Sequence, residues 1–278
     1  MKPARIALLT SGGDAPGMNA AIRAVVRTAA FHGIPVSGVM DGFDGLVKAH
    51  FIELGPRNVR NIIQRGGTML RSARSEAFRT VEGRARAAAN LKQAGIDALI
   101  CIGGGGTQSG AHQLVTEQGV RLIGIASTID NDLAGTERTL GFDTALNTAV
   151  EAIDRIRDTA SSHGRIFLVE VMGRSSGMLA VHTALACGAE AVVYPESPED
   201  SYEGLVSQLE ASWQRGKRSS IVVVAEGDSA GRAMEVGERL KRDHPLDLRV
   251  VVLGHVQRGG SPTALDRIWG SRWGAEAV

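Results

Sequence analysis

The chain has 278 residues, of which 43% are hydrophobic, 22% charged and 4% aromatic. Its 31 Lys and Arg residues nearly balance 30 Asp and Glu residues, which excludes a strong overall field that would attract nucleic acid or an anionic membrane. No apolar run approaches the roughly 20 residues that span a bilayer, and Cys101 and Cys187 lack metal-ligand spacing, so we expect a cytoplasmic globular protein with reduced cysteines.

Short apolar runs alternate with amphipathic segments along the whole chain. The runs are predicted as strands at Ile6–Thr10, Val36–Met40, Ala98–Ile102, Leu122–Ile125, Ile166–Val171, Ala191–Tyr194, Ile221–Ala225 and Arg249–Leu253. The amphipathic segments are predicted as helices at Asn19–Ala30, Gly83–Ala94, Asp143–Thr159, Tyr202–Arg215 and Ala233–Arg242. This alternation is typical of an α/β fold with buried parallel strands. An interruption at residues 140–144 suggests a boundary between two domains.

Three glycine-rich or polar segments follow predicted strands, at residues 11–17, 102–107 and 127–132. In open α/β sheets, ligands bind beyond the carboxyl ends of the strands, and backbone N–H groups at a helix start bind phosphate. Neither glycine cluster has the Gly-x-Gly-x-x-Gly spacing, and the only Gly-Lys pair is followed by Arg218, so dinucleotide and P-loop fingerprints are absent. Ordinary turns are the alternative for any one segment alone.

Residues 128–132, Thr-Ile-Asp-Asn-Asp, place Asp130 and Asp132 two positions apart just past a strand. One carboxylate at such a place can accept a proton from an attacking hydroxyl, while the other supports a metal or orients a group. Taken alone, however, an Asp-Asn-Asp sequence is more often simply a turn.

Six motifs closely resemble those of bacterial ATP-dependent 6-phosphofructokinases. They are Leu9–Arg23, Arg65–Thr68, Ser72–Arg74, Thr128–Asp132, Val169–Arg174 and Leu253–Pro262, and in this order they extend over essentially the whole chain. The resemblance implies an α/β fold of two Rossmann-like three-layer domains with mostly parallel sheets. It implies a nucleotide-binding domain at residues 1–141 plus 256–278 and a fructose 6-phosphate-binding domain at residues 142–255.

The activity implied by the resemblance is transfer of the γ-phosphoryl group of ATP to the 1-hydroxyl of fructose 6-phosphate, with Mg²⁺ as cofactor. By similarity Asp130 is the general base and Arg174 stabilises the transferring group. The implied catalytic set is Asp130, Thr128, Arg174, Asp132 and Gly13. The implied substrate-binding residues are Thr128, Ile129, Asp130, Arg165, Met172, Gly173, Arg174, Glu226, Arg249, His255, Val256, Gln257 and Arg258. The implied nucleotide-binding residues are Gly13, Arg74, Ser75, Gly104, Gly105, Gly106 and Thr107. Arg165 and Arg249 match arginines that reach the 6-phosphate across a subunit interface.

Regulation is implied by the same route, because bacterial members of the family are homotetramers with an ADP or phosphoenolpyruvate site between subunits. The matching effector residues are Arg23, Arg27, Arg157, Gly188, Ala189, Glu190, Arg215, Lys217, Arg218 and Ser219, with Glu190 as the ligand of the effector's metal. The sequence departs from the common pattern at Asn61, where an acid is usual, and at Arg215, where lysine is usual.

Two further departures bear on activity. Gly105 stands where the family's nucleotide loop has an aspartate that binds Mg²⁺. Loss of that carboxylate removes several kcal/mol of transition-state stabilisation. Asp132 is an alternative ligand for the metal. Family members also extend about 40 residues beyond the helix expected near Asp266, so we expect a fragment or a shortened member.

The alternatives to an active ATP-dependent enzyme are a weakened regulatory relative that binds sugar phosphate or nucleotide, and a pyrophosphate-dependent enzyme. Gly106 favours ATP, whereas Ser127 matches neither type.

Overall fold

Ten strands and nine α-helices make up the described parts of the chain, residues 3–197, 202–227, 230–244 and 247–278, in this computed structural model. The chain divides into two units. Unit 1 comprises Met1–Thr128, Leu133–Asp143 and Arg258–Val278, and unit 2 comprises Ile129–Asp132 and Thr144–Gln257. This division lies two residues beyond each boundary expected from the sequence, and it groups residues 129–132 with unit 2.

Unit 1 is built on a six-stranded sheet. Its strands are β1 (Ile6–Ser11), β2 (Val36–Val39), β3 (Phe51–Leu54), β4 (Ala98–Gly103), β5 (Arg121–Thr128) and β6 (Leu140–Gly141), in the order β3-β2-β1-β4-β5-β6. Only β2 and β3 pair antiparallel. Its helices are α1 (Met18–Phe31), α2 (Gly42–Val47), α3 (Val81–Gln93), α4 (Gly105–Gln118) and α9 (Ala264–Glu276). All six residues of β1 are buried, as expected for a parallel strand covered on both faces.

Unit 2 is built on a four-stranded parallel sheet in the order β10-β7-β9-β8. Its strands are β7 (Ile166–Val171), β8 (Ala191–Val193), β9 (Ser220–Ala225) and β10 (Leu248–Val252). Its helices are α5 (Phe142–His163), α6 (Met178–Cys187), α7 (Tyr202–Gln214) and α8 (Arg232–Asp243). The first two residues of α5 belong to unit 1, and the rest of the helix, from Thr144, belongs to unit 2. Two separate apolar clusters pack on this sheet, one containing Val169 and Val223 and the other Leu168 and Val222. Alternate residues of β7 and β9 therefore point into different clusters, which explains their unbroken apolar sequences.

All eight predicted strands are present and the α/β class with parallel sheets is confirmed. The sequence did not indicate β3, β6, α2 or α6. Within the described residues, no helix is long and apolar enough to cross a membrane.

Candidate active site

In unit 1, the carboxyl ends of β1, β4 and β5 lie side by side, because Ser11 pairs with Gly103 and Gly103 pairs with Ala126. This register brings the segments at residues 11–17 and 102–107 together with the end of β5. A Cβ atom on Gly104 would lie 3.2 Å from Cβ of Thr128. The expected nucleotide-binding glycines and Thr128 thus lie together at the carboxyl ends of these strands.

Arg258 lies over the first glycine cluster in unit 1. A Cβ atom on Gly13 would lie only 2.5 Å from Nη1 of Arg258, and the same nitrogen donates to the carbonyl oxygen of Asp14 over 3.4 Å. A side chain at position 13 would therefore displace this guanidinium group. An arginine expected at the sugar phosphate therefore sits directly beside a glycine expected at the nucleotide.

The N-terminus of α4 is open and carries no protein anion. Its N-cap residue, Gly104, makes no side-chain hydrogen bond, and the first turn contains no acidic residue. A Cβ atom on Gly106 would meet nothing within 4 Å, and one on Gly105 would meet only Cδ2 of Leu133, at 3.6 Å. The N–H of Thr107 donates to the carbonyl oxygen of Gly104 at 2.9 Å. The earlier N–H groups of the turn and the positive end of the helix dipole make it suitable for binding phosphate oxygens.

The described residues contain no preformed cluster that would hold Mg²⁺ in the absence of a nucleotide. Their acidic, His and Cys side chains form no group of three or more that could hold a metal ion. Mg²⁺ in phosphate-transfer sites is bound through one or two carboxylates together with the substrate's phosphates. Position 105 supplies no carboxylate, and Asp132 is an exposed residue.

Asn19 holds the segment that contains Arg65–Thr68, a role that sequence reasoning did not assign. Its buried side chain donates to the carbonyl oxygens of Arg65 and Gly66 over 3.1 and 3.0 Å and accepts from the N–H of Met69 at 2.8 Å. The loop continues past Thr68 to Arg74, which is exposed, and Ser75, whose hydroxyl donates to Asp44. Asn19 thereby fixes the backbone that leads to the two expected nucleotide-binding residues.

In unit 2, the loop after β7 adopts an unusual backbone that three side chains hold. Gly173 and Arg174 have φ of 137° and 52°, values that non-glycine residues rarely adopt. The N–H of Met172 donates to Oε1 of Gln257 at 2.9 Å, and the N–H of Arg174 donates to Oε1 of Glu226 at 3.1 Å. The N–H of Gly177 donates to Glu196 at 2.8 Å.

Gln257, which is expected among the substrate-binding residues, lies inside the protein in this structure. Its side chain is fully buried and engaged with the backbone of the β7 loop, whereas His255 and Val256 in the same 3₁₀ turn are exposed. Ile129 is likewise fully buried, and Asp130 is 5% exposed. The side chains of Gln257 and Ile129 are therefore closed off from solvent, whereas those of His255 and Val256 are open to it.

Arg165 and Arg249 are brought together at the amino-terminal ends of β7 and β10, because Ile166 pairs with Leu248. Asp247 joins them. Its Oδ2 accepts from Nε of Arg165 at 3.0 Å and its Oδ1 accepts from Nη1 of Arg249 at 2.6 Å. The hydrogen bond from Arg165 lowers the pKa of the Asp247 carboxyl, with a further contribution from the charge of Arg249.

Several expected effector residues meet in unit 2. Arg157 donates to the carbonyl oxygens of Cys187 and Gly188. Glu190 pairs with Lys217 and also accepts from the N–H of Ile221 at 2.5 Å. Both oxygens of Glu190 thus already accept a hydrogen bond within unit 2. The remaining expected residues lie beside Gly188 (Ala189), in the segment preceding β9 (Arg215, Arg218 and Ser219) and on α1 of unit 1 (Arg23 and Arg27).

Comparisons with known proteins agree on one family. The family model described as phosphofructokinase matches residues 5–278. The chain is 57% identical over 274 residues to ATP-dependent 6-phosphofructokinase 1 of Thermus thermophilus, covering 99% of this chain and 85% of that relative. It is 51% identical to ATP-dependent 6-phosphofructokinase of Bacillus subtilis with the same coverage.

Among solved structures, phosphofructokinase from Saccharomyces cerevisiae superposes with a TM-score of 0.90 at 38% identity. The match covers all of this chain and 41% of the yeast chain. The two-unit α/β architecture is therefore the one found in phosphofructokinases.

Proposed function

Because the chain belongs to the phosphofructokinase family, we propose that it transfers the γ-phosphoryl group of ATP to D-fructose 6-phosphate, giving fructose 1,6-bisphosphate and ADP. The observation that carries this function is the 57% identity over 99% of the chain to a relative named as an ATP-dependent 6-phosphofructokinase. The activity is that of a glycolytic kinase with an alcohol acceptor.

Unit 1 is proposed to bind the nucleotide. Phosphoryl transfer depends mainly on positioning and on stabilising charge, since the protein itself supplies little covalent chemistry. The first turn of α4, which begins after Gly104 and contains Gly105 and Gly106, offers backbone N–H donors for phosphate oxygens. Thr107 follows in the same turn, and its own N–H donates to the carbonyl oxygen of Gly104. Arg258 beside Gly13 adds a positive charge at the same sheet edge, which supports this assignment.

Unit 2 is proposed to bind and activate the sugar phosphate. Asp130 accepts the proton of the 1-hydroxyl as that oxygen forms a bond to the γ-phosphorus and the bond to the β–γ bridging oxygen breaks. Arg174 stabilises the charge on the transferring group, with Thr128 and Asp132 supporting the reacting end. Arg165 and Arg249 lie at the other end of the unit 2 sheet from Arg174 and Glu226, so they are assigned to the 6-phosphate of a sugar bound by a neighbouring subunit. Guanidinium groups suit this role because they bind phosphate through paired donors.

Mg²⁺ is proposed to arrive as the complex with ATP, and thus as part of the substrate. Position 105 supports this proposal, because it is glycine and so offers no carboxylate to the metal. Binding of Mg²⁺ would then rest on the phosphates of the nucleotide.

Assembly and regulation are further proposals. The effector residues around Glu190 and Arg157 support an ADP or phosphoenolpyruvate site, and a homotetramer would supply the subunit interface that such a site requires in the family. Both cysteines are free thiols, which supports a cytoplasmic location.

A coupled assay that detects fructose 1,6-bisphosphate tests the function, with ATP or pyrophosphate as donor. We expect ATP-dependent turnover in wild-type protein and a loss of about 10²–10⁴-fold in kcat for Asp130→Asn, since the hydroxyl loses its proton acceptor. Asp158→Asn, on the exposed side of α5, is the matched control and should retain wild-type rates. Turnover with pyrophosphate alone, or an Asp130→Asn variant as active as the control, would contradict the proposal.

A further inference from the structure

The side chain of Gln257 is a fully buried polar group that contacts the loop after β7. It is 0% exposed, although it ends the 3₁₀ turn Gly254–Gln257 in which His255 and Val256 are exposed. Its Oε1 accepts from the backbone N–H of Met172 at 2.9 Å. The glutamine therefore links the turn that precedes Arg258 to the first residue of the loop after β7.

The other end of the same side chain points to a functional constraint. Nε2 of Gln257 is buried and has no hydrogen-bond partner among the described residues. Leaving a buried amide donor without a partner is costly, and such groups are rare in native structures unless they serve a function. A residue chosen only to fill this space would have been apolar, so the accepting oxygen is what the position needs.

That oxygen supports a backbone in an unfavourable conformation. Gly173 and Arg174 both have positive φ, and a non-glycine residue stays in that region only when its surroundings hold it there. The N–H groups on either side of Gly173 are each held by a side-chain acceptor: Gln257 on Met172, and Glu226 on Arg174. Gln257 is thus one of two side chains that fix the direction in which Arg174 leaves the loop.

We infer that Gln257 is a positioning residue for phosphoryl transfer, which acts through the backbone of Met172 to hold Arg174 in place. This inference rests on the proposed function, in which Arg174 stabilises the transferring group. Because the side chain is buried, it does not touch the sugar phosphate. Its loss should therefore lower the stability of the transition state more than the binding of the ground state.

Two substitutions separate the accepting oxygen from the shape of the side chain. Gln257→Met keeps the volume and removes the acceptor, so we expect kcat to fall about tenfold or more while KM for fructose 6-phosphate changes less than about threefold. Gln257→Glu keeps an acceptor, since burial favours the neutral acid whose carbonyl oxygen can still accept from Met172. It should restore kcat to within about threefold of wild type. Gln214→Met, at the exposed end of α7, is the matched control and should behave as wild type.

A double-mutant cycle with Arg174→Ala distinguishes positioning from a general structural effect. If Gln257 acts through Arg174, then adding Gln257→Met to Arg174→Ala should cause little further loss of kcat. Thermal unfolding of all variants shows whether each is folded at the assay temperature. The cycle remains informative for a weakened fold, because a purely structural defect lowers kcat in both backgrounds by the same factor.

The outcomes are distinct. Absence of turnover in wild-type protein overturns the proposed function itself. With wild-type turnover present, a Gln257→Met variant with unchanged kcat, or losses that multiply independently in the double variant, overturns the positioning role. A large kcat loss that Gln257→Glu rescues and that vanishes in the Arg174→Ala background supports it.

Discussion

At the scale of single residues, Asp247 determines how the paired arginines of unit 2 present their charge. The carboxylate bonds to both Arg165 and Arg249, so the trio carries a net charge of +1 where two free guanidinium groups would carry +2. A sugar phosphate must compete with this carboxylate for the same donors. The side chains are partly exposed, and solvent limits what each such pair contributes to stability.

Arg249→Ala should raise KM for fructose 6-phosphate more than it lowers kcat, because a contact to the 6-phosphate exists equally in the ground and transition states. Asp247→Asn should do the opposite and lower that KM a few-fold, since it removes the competing charge. Steady-state kinetics of both variants test whether KM for fructose 6-phosphate rises in Arg249→Ala and falls in Asp247→Asn. An unchanged KM in Arg249→Ala would place this arginine outside the sugar site.

The pKa of Asp247 gives the pH dependence of this effect. Because its arginine partners hold that pKa below its ordinary value, the carboxylate stays ionised throughout the neutral range. The ratio of the KM values of wild type and Asp247→Asn should therefore be constant between about pH 7.5 and pH 9, above the second pKa of the sugar phosphate, which is about 6. A ratio that changes within that range would mean that a different group titrates in this cluster.

The sequence indicated the two arginines through family motifs, but it could not indicate Asp247. Its position depends on the register of β7 against β10, which pairs Ile166 with Leu248 and so sets residues 165 and 247 side by side. The burial of Gln257 was equally hidden, because the neighbouring residues of its turn are exposed. Residue types can be read along the chain, whereas such pairings arise only when distant strands meet.

At the scale of elements, the N-termini of helices α8 and α4 are completed differently. In unit 2 the N-terminus of α8 receives a protein carboxylate: buried Glu170 accepts from the N–H groups of Gly231 and Ala233 at 2.9 and 2.8 Å. In unit 1 the N-terminus of α4 has no acidic residue and no side-chain cap. A helix start completed by the protein stabilises the fold, while one left open can receive the phosphates of a ligand.

Strands were easier to predict than helices for a physical reason. A parallel strand buried on both faces has an unbroken apolar sequence, as in β7 and β9, and that pattern stands out. By contrast, α6 is apolar on most positions and β3 is a short, half-exposed edge strand. Neither has a clear period, so neither was indicated by the sequence.

Gly105→Asp should raise the affinity of the nucleotide site for divalent metal. The backbone accepts the change, because Gly105 is not among the glycines with positive φ and its Cβ would make only an ordinary contact with Leu133. A carboxylate supplies a hard oxygen ligand, and in the first turn of α4 it also complements the helix dipole by about 0.3–1 kcal/mol. Titration with Mn²⁺ in the presence of ATP, followed by electron paramagnetic resonance, measures the affinity directly.

Gly105→Asn is the control for that variant, since it has nearly the same shape without the charge. It should leave Mn²⁺ affinity close to that of wild type. Equal Mn²⁺ titrations for wild type and Gly105→Asp would show that the metal already has another protein ligand. They would thereby remove the reason to treat Mg²⁺ as part of the nucleotide substrate.

At the scale of the whole molecule, each unit carries its own apolar core and one cysteine. Cys101 belongs to the core cluster of unit 1 and is fully buried, and burial strongly raises the pKa of its thiol. Cys187 ends α6 in unit 2 and is partly exposed; partial burial raises its thiol pKa, as does the charge of Asp154. The thiolate is the reactive form of cysteine, so the buried Cys101 reacts only when unit 1 opens. The partly exposed Cys187 reports on unit 2.

Labelling with a thiol reagent at pH 8 should therefore modify Cys187 first, and Cys101 only when unit 1 opens. Cys187→Ser should abolish the faster phase and leave a slow phase that accelerates with urea. ATP at a hundred times its Kd should slow that remaining phase about a hundredfold, since a ligand that binds only the closed unit reduces the population of the open one. Fructose 6-phosphate alone should affect it much less if the nucleotide binds unit 1. If the rate of the slow phase is unchanged by ATP but falls with the sugar phosphate, the assignment of the two ligands to the two units is reversed.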